Sequence, residues 1–205
     1  NRVQFTSVGN FASDKFKPQQ WKSNFPLEAF QNMTDRDAYW AAKIVASFTD
    51  EQIRAAVETA EFSDPKAAEY LTQQIIKRRD AITREYFNRN AAIDELQLQQ
   101  TANGWVINFT DMRAQFAHSK EEPTYEYQLT AADDVKRIIA KGKLDMPQMM
   151  LPSELLRQVA ELGNTEETRG VAQLKLKRSG DKKEMAAWLY YDDVRRHLQL
   201  IGQLN

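Results

Sequence analysis

The chain of 205 residues contains no cysteine and only 7 glycines. Without cysteine it has neither disulfides nor thiolate metal sites, and catalysis by a cysteine nucleophile is excluded. The glycines form neither a GxGxxG fingerprint nor a phosphate-binding loop, and no GxSxG nucleophile motif is present. We therefore predict that the protein binds no cofactor.

Acidic and basic residues nearly balance, with 29 Asp and Glu against 28 Lys and Arg. The chain thus lacks the basic excess of a nucleic-acid-binding protein, so we predict no nucleic-acid partner. It also has no apolar run long enough to cross a bilayer, and we predict no transmembrane segment in it. Because it begins at Asn1 rather than at a methionine, we expect it to be part of a longer protein.

Residues 33–90 carry the clearest pattern, which predicts three consecutive helices. Thr34, Thr49 and the Ser63-Asp64-Pro65 triplet supply N-terminal caps, and Thr49 with Gln52 has the spacing of a capping box. Each segment also carries an apolar stripe at helical spacing, and the short connections predict one compact helical unit. We predict that the stripe residues are buried in mutual contact, namely Trp40, Ile44, Ile53, Val57, Leu71, Ile75 and Ile82.

An aromatic lead, residues 1–32, precedes the helices. The alternation of Val3 and Phe5 favours a short strand over 2–8, and the rest of the lead is irregular, with two prolines and several aromatic residues. Such a segment has no reason to order by itself, so we expect it to lie across the helical unit or a partner and to bury its aromatic side chains. Lead and helices make up the first predicted domain, residues 1–92.

Beyond residue 92 the apolar periodicity changes from helical to alternating, which predicts a β-rich domain over residues 93–205. Strands are expected in a hairpin around 96–109 and at 125–129, 172–176, 187–191 and 198–200. Between them we predict a short helix from Ala132, a loop over 147–152 with its methionines turned inward, and a helix over 153–162. The predicted fold class is α+β, with an antiparallel sheet or sandwich after the three-helix unit.

Few side chains are candidates for chemistry. His118 and His197 would form a catalytic or metal-binding pair only if the fold brought them together. The doublets Asp133-Asp134 and Asp192-Asp193 have ordinary turn composition. We interpret all of these residues as structural or surface groups, and we predict no catalytic, cofactor-binding or metal-binding residue.

The Arg78-Arg79-Asp80 segment is an exception to this ordinary pattern. At about 100° per residue, both arginines flank the apolar stripe of the third predicted helix. An unpaired charge beside such a stripe is costly, so we predict that one arginine binds an acid outside its own helix, with Asp37 the first choice. A ligand site for an anion is the alternative.

The segment WKSNFPLEAFQNMTDRDAYWAAKIVASFTDEQIRAAVETAEFSDPKAAEYL, with RRDAI after it, resembles the C-terminal part of a family of uncharacterised bacterial proteins. The resemblance covers about residues 10–90, and the closing HLQLIGQLN is similar to the family's terminal strand. It implies a longer, often exported protein whose N-terminal part is distantly similar to protein kinases. It also implies a periplasmic or cell-envelope location, and it implies no particular activity.

The predicted function is that of a non-catalytic accessory or interaction region, whose partner is another region of the same protein or a separate protein. Two alternatives stay open. One is a hydrolase with a site between the helical and β halves, and the other is a carbohydrate- or cell-wall-binding β module that presents Trp105 or Trp188. A docking role for the lead predicts an exposed apolar patch made of some of Phe5, Phe11, Phe16 and Trp21.

Overall fold

The computed structural model describes residues 3–25, 27–116 and 122–205, and the chain divides into two compact units, 1–89 and 90–205. The first unit is helical. The second consists mainly of antiparallel strands, so the α+β class is confirmed.

The described part of the lead contains no strand. A turn at 6–8 is followed by a 3₁₀ turn at Pro18–Gln20 and by the one-turn helix α1 at Glu28–Gln31. The strand predicted over 2–8 is therefore wrong at its described residues. An isolated strand needs a partner strand for its backbone hydrogen bonds, and the helical unit offers none among its described residues.

Three helices follow in the predicted order: α2 at Asp35–Ala46, α3 at Asp50–Glu58 and α4 at Pro65–Arg89. Thr34 and Thr49 each complete a capping box at the start of their helix. In each box the threonine hydroxyl accepts a hydrogen bond from the third helical residue, whose side chain accepts one from the threonine N–H. The local chemistry of the sequence thus predicts where these helices begin.

The face of α2 that packs on α4 is not the predicted one. Its buried residues are small or carry a polar tip, namely Ala38, Tyr39, Ala42 and Ala46. Alanines at this spacing let the two helix backbones approach closely, which larger side chains would prevent. Trp40 and Ile44 are instead 63% and 46% exposed, so the prediction that they are buried is wrong.

The buried face of α4 is also turned away from the predicted stripe. Thr72, Ile76, Thr83 and Phe87 are buried and lie on one side of the helix, rotated by roughly 100° from Leu71, Ile75 and Ile82. The Phe87 ring meets the Tyr39 ring of α2 edge-on, with 5.6 Å between centroids. The three predicted residues of α4 are half-buried, whereas Ile53 and Val57 of α3 are buried as predicted.

The described residues of the second unit form eight strands in two antiparallel sheets, with strand orders β1-β2-β5 and β4-β3-β6-β7-β8. The strands are β1 Ile93–Thr101, β2 Gly104–Asp111, β3 Tyr125–Ala131, β4 Ile138–Leu144, β5 Gln148–Pro152, β6 Val171–Arg178, β7 Met185–Asp192 and β8 His197–Leu204. Two short helices accompany them, α5 at Met112–Phe116 and α6 at Ser153–Ala160. The predicted hairpin is β1–β2, and the helix predicted over 153–162 is α6.

Two predictions in this unit are wrong. Strand β4 replaces the helix predicted from Ala132, and strand β5 replaces the loop predicted over 147–152. Both are short strands that exist because they pair with β3 and β2, respectively, and such pairing is invisible in local periodicity. Of the neighbouring methionines in β5, Met149 points into the core and Met150 is exposed.

The inner faces of the two sheets and α6 share one hydrophobic core. Its fully buried members include Tyr125, Leu129, Leu174, Met149 and Leu156. The β1–β2 turn fits closely against β5, because a side chain at Gly104, where φ is +141°, would lie 2.2 Å from the Leu151 carbonyl oxygen. Glycine is therefore required there.

Candidate functional site

An apolar groove of about 710 Å³ opens on the helical unit between the C-terminal end of α2, α3 and α4. Its apolar lining residues are Val45, Phe48, Ile53, Ala56, Val57, Ala60, Leu71, Ile75 and Ile82. Gln52, Arg78 and Arg79 complete it, and it contains no acidic residue. We call this feature the groove.

The groove follows from how α3 and α4 pack. Ile53 and Val57 of α3 are buried and form its floor, while Ala56 of α3 and Ala60, just past the helix end, are exposed and too small to close it. Ile75 of α4 is half-buried along the opposite side, in the stripe that includes Leu71 and Ile82. The residues predicted to fill a core therefore line an open groove.

A row of exposed apolar side chains runs along α2 and ends at Phe48, two residues past the C-terminal end of the helix. Trp40, Ile44 and Phe48 follow one another at i, i+4 and i+8, and Phe48 is 52% exposed and also lines the groove. We call these three residues the ridge. The sequence analysis placed Trp40 and Ile44 in the core, because their spacing is that of a buried stripe. The signal against this was the parallel stripe of Ala38, Ala42 and Ala46, which fits a close helix contact better.

Arg79 is held firmly at the edge of the groove. Its Nη2 lies 2.7 Å from the Asp50 carboxylate and 2.9 Å from that of Asp80, and its Nη1 donates to the Phe48 carbonyl oxygen at 2.7 Å. Burial lowers the pKa of Arg79, but the two carboxylates outweigh this effect and raise it above its ordinary value. The prediction of an ion pair outside the helix is thus confirmed for Arg79.

The acid predicted first for this pair is wrong. Asp37 accepts hydrogen bonds from the Thr34 N–H at 2.9 Å and hydroxyl at 2.7 Å, within the α2 cap. These bonds lower the pKa of Asp37. Its place beside Arg79 is taken by Asp50, in the first turn of α3.

Arg78 holds the lead against α4. Its guanidinium carbon lies 3.7 Å from the centre of the Phe11 ring and 5.2 Å from that of Phe16, a cation–π arrangement. Ser13 fixes the same segment, because its N–H and hydroxyl both bond to Gln74 at 2.8 Å. The prediction that the lead lies across the helical unit is confirmed for this stretch.

The aromatic patch predicted on the lead is therefore wrong in its composition. Phe5, Phe11 and Phe16 are half-buried, and the Phe5 ring packs on Tyr70 of α4, with 5.4 Å between centroids. Trp21 is 57% exposed, and it contacts the Phe30 ring instead. A pocket of about 470 Å³ in the lead is instead lined by five exposed apolar residues, Trp21, Phe25, Leu27, Phe30 and Met33.

The histidines give no support to a catalytic pair. His118 lies outside the described residues. His197 is exposed at the start of β8, where its ring meets the Trp105 ring edge-on at 5.7 Å. Among the residues that the structure describes, no carboxylate forms a hydrogen bond or ion pair with His197.

The two acidic doublets serve turns. Asp192 accepts the N–H groups of Val194 and Arg195 at 3.0 Å, which closes the β7–β8 turn. Asp134 of the other doublet accepts the Lys136 N–H at 3.0 Å, in the turn before β4. Both doublets are thus surface turn groups, in line with their interpretation from the sequence.

The two tryptophans considered for sugar stacking differ in exposure. Trp105 is buried in the core of the β unit, so its ring faces are not open to a ligand. Trp188 is half-buried on the outer face of the five-stranded sheet, beside Gly202 of the edge strand β8. The exposed aromatic pair that a carbohydrate site would need is not formed by these residues.

A charged cluster ties together one part of the β unit. The buried Asp111 carboxylate accepts the Tyr125 hydroxyl at 3.2 Å and caps α5 through the Arg113 and Ala114 N–H groups. The Arg113 guanidinium in turn binds Asp181. Burial, with the nearby Asp111 charge, raises the pKa of Tyr125. The Asp111 and Asp181 carboxylates are thus hydrogen-bonded or ion-paired within the cluster, and we interpret the cluster as structural.

Comparisons with known proteins gave no match: no family model, curated protein or solved structure is significantly similar to the chain. The resemblance to the uncharacterised bacterial family therefore stays a prediction. Within the described ranges, no group of three His, Asp or Glu side chains is placed to hold a metal ion. No helix in the same ranges is long and apolar enough to cross a membrane.

Proposed function

We propose that the chain is a non-catalytic interaction region whose helical unit binds an amphipathic α-helix in the groove. The observation that carries this proposal is the open apolar groove, which Phe48, an exposed residue of the ridge, helps to line. Proteins rarely leave contiguous apolar surface of this kind uncovered without a binding use. Its partner is another region of a longer protein or a separate protein.

The dimensions and chemistry of the groove suit a helix. Along α4 it runs from Leu71 to Ile82, which is about 16 Å, or three turns of a partner helix. A helix that presents apolar side chains at i, i+3, i+4 and i+7 would place them along such a trough. Because Arg79 is already neutralised by Asp50 and Asp80, recognition is dominated by apolar contact.

The test is a titration of the intact chain, labelled at its isoleucine methyl groups, with a synthetic amphipathic helix of about four turns. We expect methyl shifts at Ile53, Ile75 and Ile82 that saturate in the micromolar range. A peptide of the same composition with its apolar residues scrambled should give none.

Two variants separate groove binding from non-specific contact. Ala56→Glu places a charge on an exposed α3 position inside the groove and should abolish the shifts. Ala114→Glu makes the same change at an exposed helical alanine of the other unit and should leave them unchanged. Absence of shifts at millimolar peptide, combined with turnover of an ester, phosphate or glycoside substrate, would favour the hydrolase instead.

A further inference from the structure

We propose that the outer face of the five-stranded sheet binds the phosphate group of a small phosphate monoester above Gln128. The ammonium groups of Lys141 and Lys175 hold the phosphate, and the Gln128 amide donates a hydrogen bond to it. The inner face of this sheet packs into the core through Leu129 and Leu174, so the side chains next to them on each strand point outward. The site lies in the second unit and does not depend on the proposed function of the groove.

An open pocket of about 450 Å³ marks this face of the sheet. Its lining has two more positive than negative side chains, in a chain whose formal net charge is −1. The lysines are Lys141 and Lys143 of β4 and Lys175 and Lys177 of β6, and the acids are Glu126 and Glu184. A concave surface with an excess of one charge attracts ligands of the opposite charge.

One row of side chains across the sheet already holds a carboxylate between two lysines. Glu126 of β3 lies between Lys143 of β4 and Lys177 of β6, which are its direct neighbours in the sheet. Directly opposite side chains on neighbouring strands begin only about 5 Å apart. The Glu126 carboxylate binds Lys177, with 3.0 Å between nitrogen and oxygen. The two lysine columns are thus close enough to share an oxyanion.

The next row has the same two lysine columns but no carboxylate between them. Gln128 lies two residues after Glu126, on the same face of β3, and its direct neighbours are Lys141 and Lys175. Within the described residues, the side chains of Gln128 and Lys141 have no hydrogen-bond or ion-pair partner, whereas Lys175 binds Glu184. Two ammonium groups and an amide therefore surround the place where the first row holds an oxyanion.

Protection of the sheet edge explains only half of these lysines. β4 is an edge strand, and lysines on edge strands discourage pairing with other chains. β6, however, lies inside the sheet, between β3 and β7, so Lys175 and Lys177 protect no edge. Because the lysines of both strands line one pocket, anion binding accounts for the whole set.

A phosphate monoester matches the charge and the donors of this site. It carries about 1.5–2 negative charges near neutral pH and has three strong acceptor oxygens, one for each of the three donor groups. Lysine binds phosphate as a point charge, so the site needs no fork-shaped donor such as arginine. The pocket volume is within the range of about 300–1,000 Å³ that is usual for small-molecule sites, which leaves room for the organic part of the ester.

A titration of the intact chain with inorganic phosphate, followed by its amide NMR shifts, tests the site. The ionic strength is kept constant with sodium chloride, and sodium acetate serves as a singly charged comparison. We expect saturable shifts at Gln128, Lys141 and Lys175 with a Kd of about 1 mM, and binding of acetate about tenfold weaker. Equal shifts with phosphate, acetate and chloride would show general charge screening and would overturn the inference.

A substitution at the centre of the site provides the sharper test. Gln128→Glu supplies a carboxylate from the chain itself, as Glu126 does in the first row, and should raise the phosphate Kd about tenfold or more. Gln99→Glu is the matched control, because it makes the same change at an exposed strand position of the other sheet, and it should bind phosphate like the parent. The amide spectra also verify that both variants are folded. Unchanged binding by Gln128→Glu, or an equal loss in Gln99→Glu, contradicts the proposed site.

Discussion

Removing the Phe87 ring should strongly destabilise the helical unit, whereas removing the Trp40 ring should barely change its stability. Phe87 is 1% exposed and packs edge-on against Tyr39, while Trp40 is 63% exposed. Deleting a core aromatic side chain costs about 3–5 kcal/mol, which includes the aromatic pair at about 0.5–1.5 kcal/mol. An exposed side chain away from such contacts changes stability by about 0.5 kcal/mol or less.

Urea denaturation followed at 222 nm measures this difference, because α2, α3 and α4 supply most of the helical signal among the described residues. We expect Phe87→Ala to lower the free energy of unfolding by about 3–5 kcal/mol and Trp40→Ala to leave it within about 0.5 kcal/mol of the parent. The measurement belongs at a low protein concentration, since any self-association would otherwise stabilise the folded state.

The opposite ranking would refute the packing described for α2. A loss of several kcal/mol for Trp40→Ala would mean that Trp40 is buried in the helical core. A loss below about 1 kcal/mol for Phe87→Ala would mean that its site collapses or is not a core site. Phe87→Leu keeps most of the volume and should fall between the parent and Phe87→Ala.

Three further outcomes follow from single residues. Arg79→Met should lower the free energy of unfolding by about 1–3 kcal/mol in the same denaturation assay, because the Asp50 carboxylate and the Phe48 carbonyl lose their donor. Arg79→Lys keeps a positive charge and should recover part of this loss. The pKa of Tyr125 is raised by burial and by a nearby carboxylate, so above about pH 10 the unfolded chain loses a proton that the folded chain keeps. Stability should therefore fall as the pH rises past 10, and denaturation curves of Tyr125→Phe should show a smaller fall. On thermal denaturation, Gly104→Ala should lower the free energy of unfolding by more than about 3 kcal/mol, because the new Cβ meets a backbone oxygen. Gly180→Ala has open space around it and should lower it by only about 1–2 kcal/mol, the cost of its positive φ.

Much of the fold could be predicted from interactions between residues close together in the sequence. Thr34 and Thr49 start their helices because their hydroxyls satisfy backbone N–H groups within four residues, and Pro65 starts α4 because it needs no N–H partner there. The β1–β2 hairpin and the strands β6 and β7 were likewise predicted from the alternation of apolar and polar residues within each segment. Such features depend on short-range geometry, so the sequence specifies them directly.

The short strands β4 and β5 depended on distant partners. Their backbone groups bond to β3 and β2, and the paired residues are up to 48 positions apart along the chain, as for Gly104 and Pro152. A five-residue segment such as Gln148–Pro152 has too few side chains for its alternation to be distinguished from a loop. Its extended state is fixed by pairing, and pairing belongs to the tertiary structure.

The candidate site was missed for a related reason. The sequence determined that α2 carries two stripes, one of large apolar residues and one of alanines, but periodicity by itself favours burying the larger one. The tertiary structure decided otherwise, because α2 packs against α4 through Ala38, Ala42 and Ala46. With that contact made, Trp40 and Ile44 point outward, and Phe48 is exposed at the groove. How closely two helices approach decides which stripe becomes core, and the sequence of one helix alone does not determine that distance.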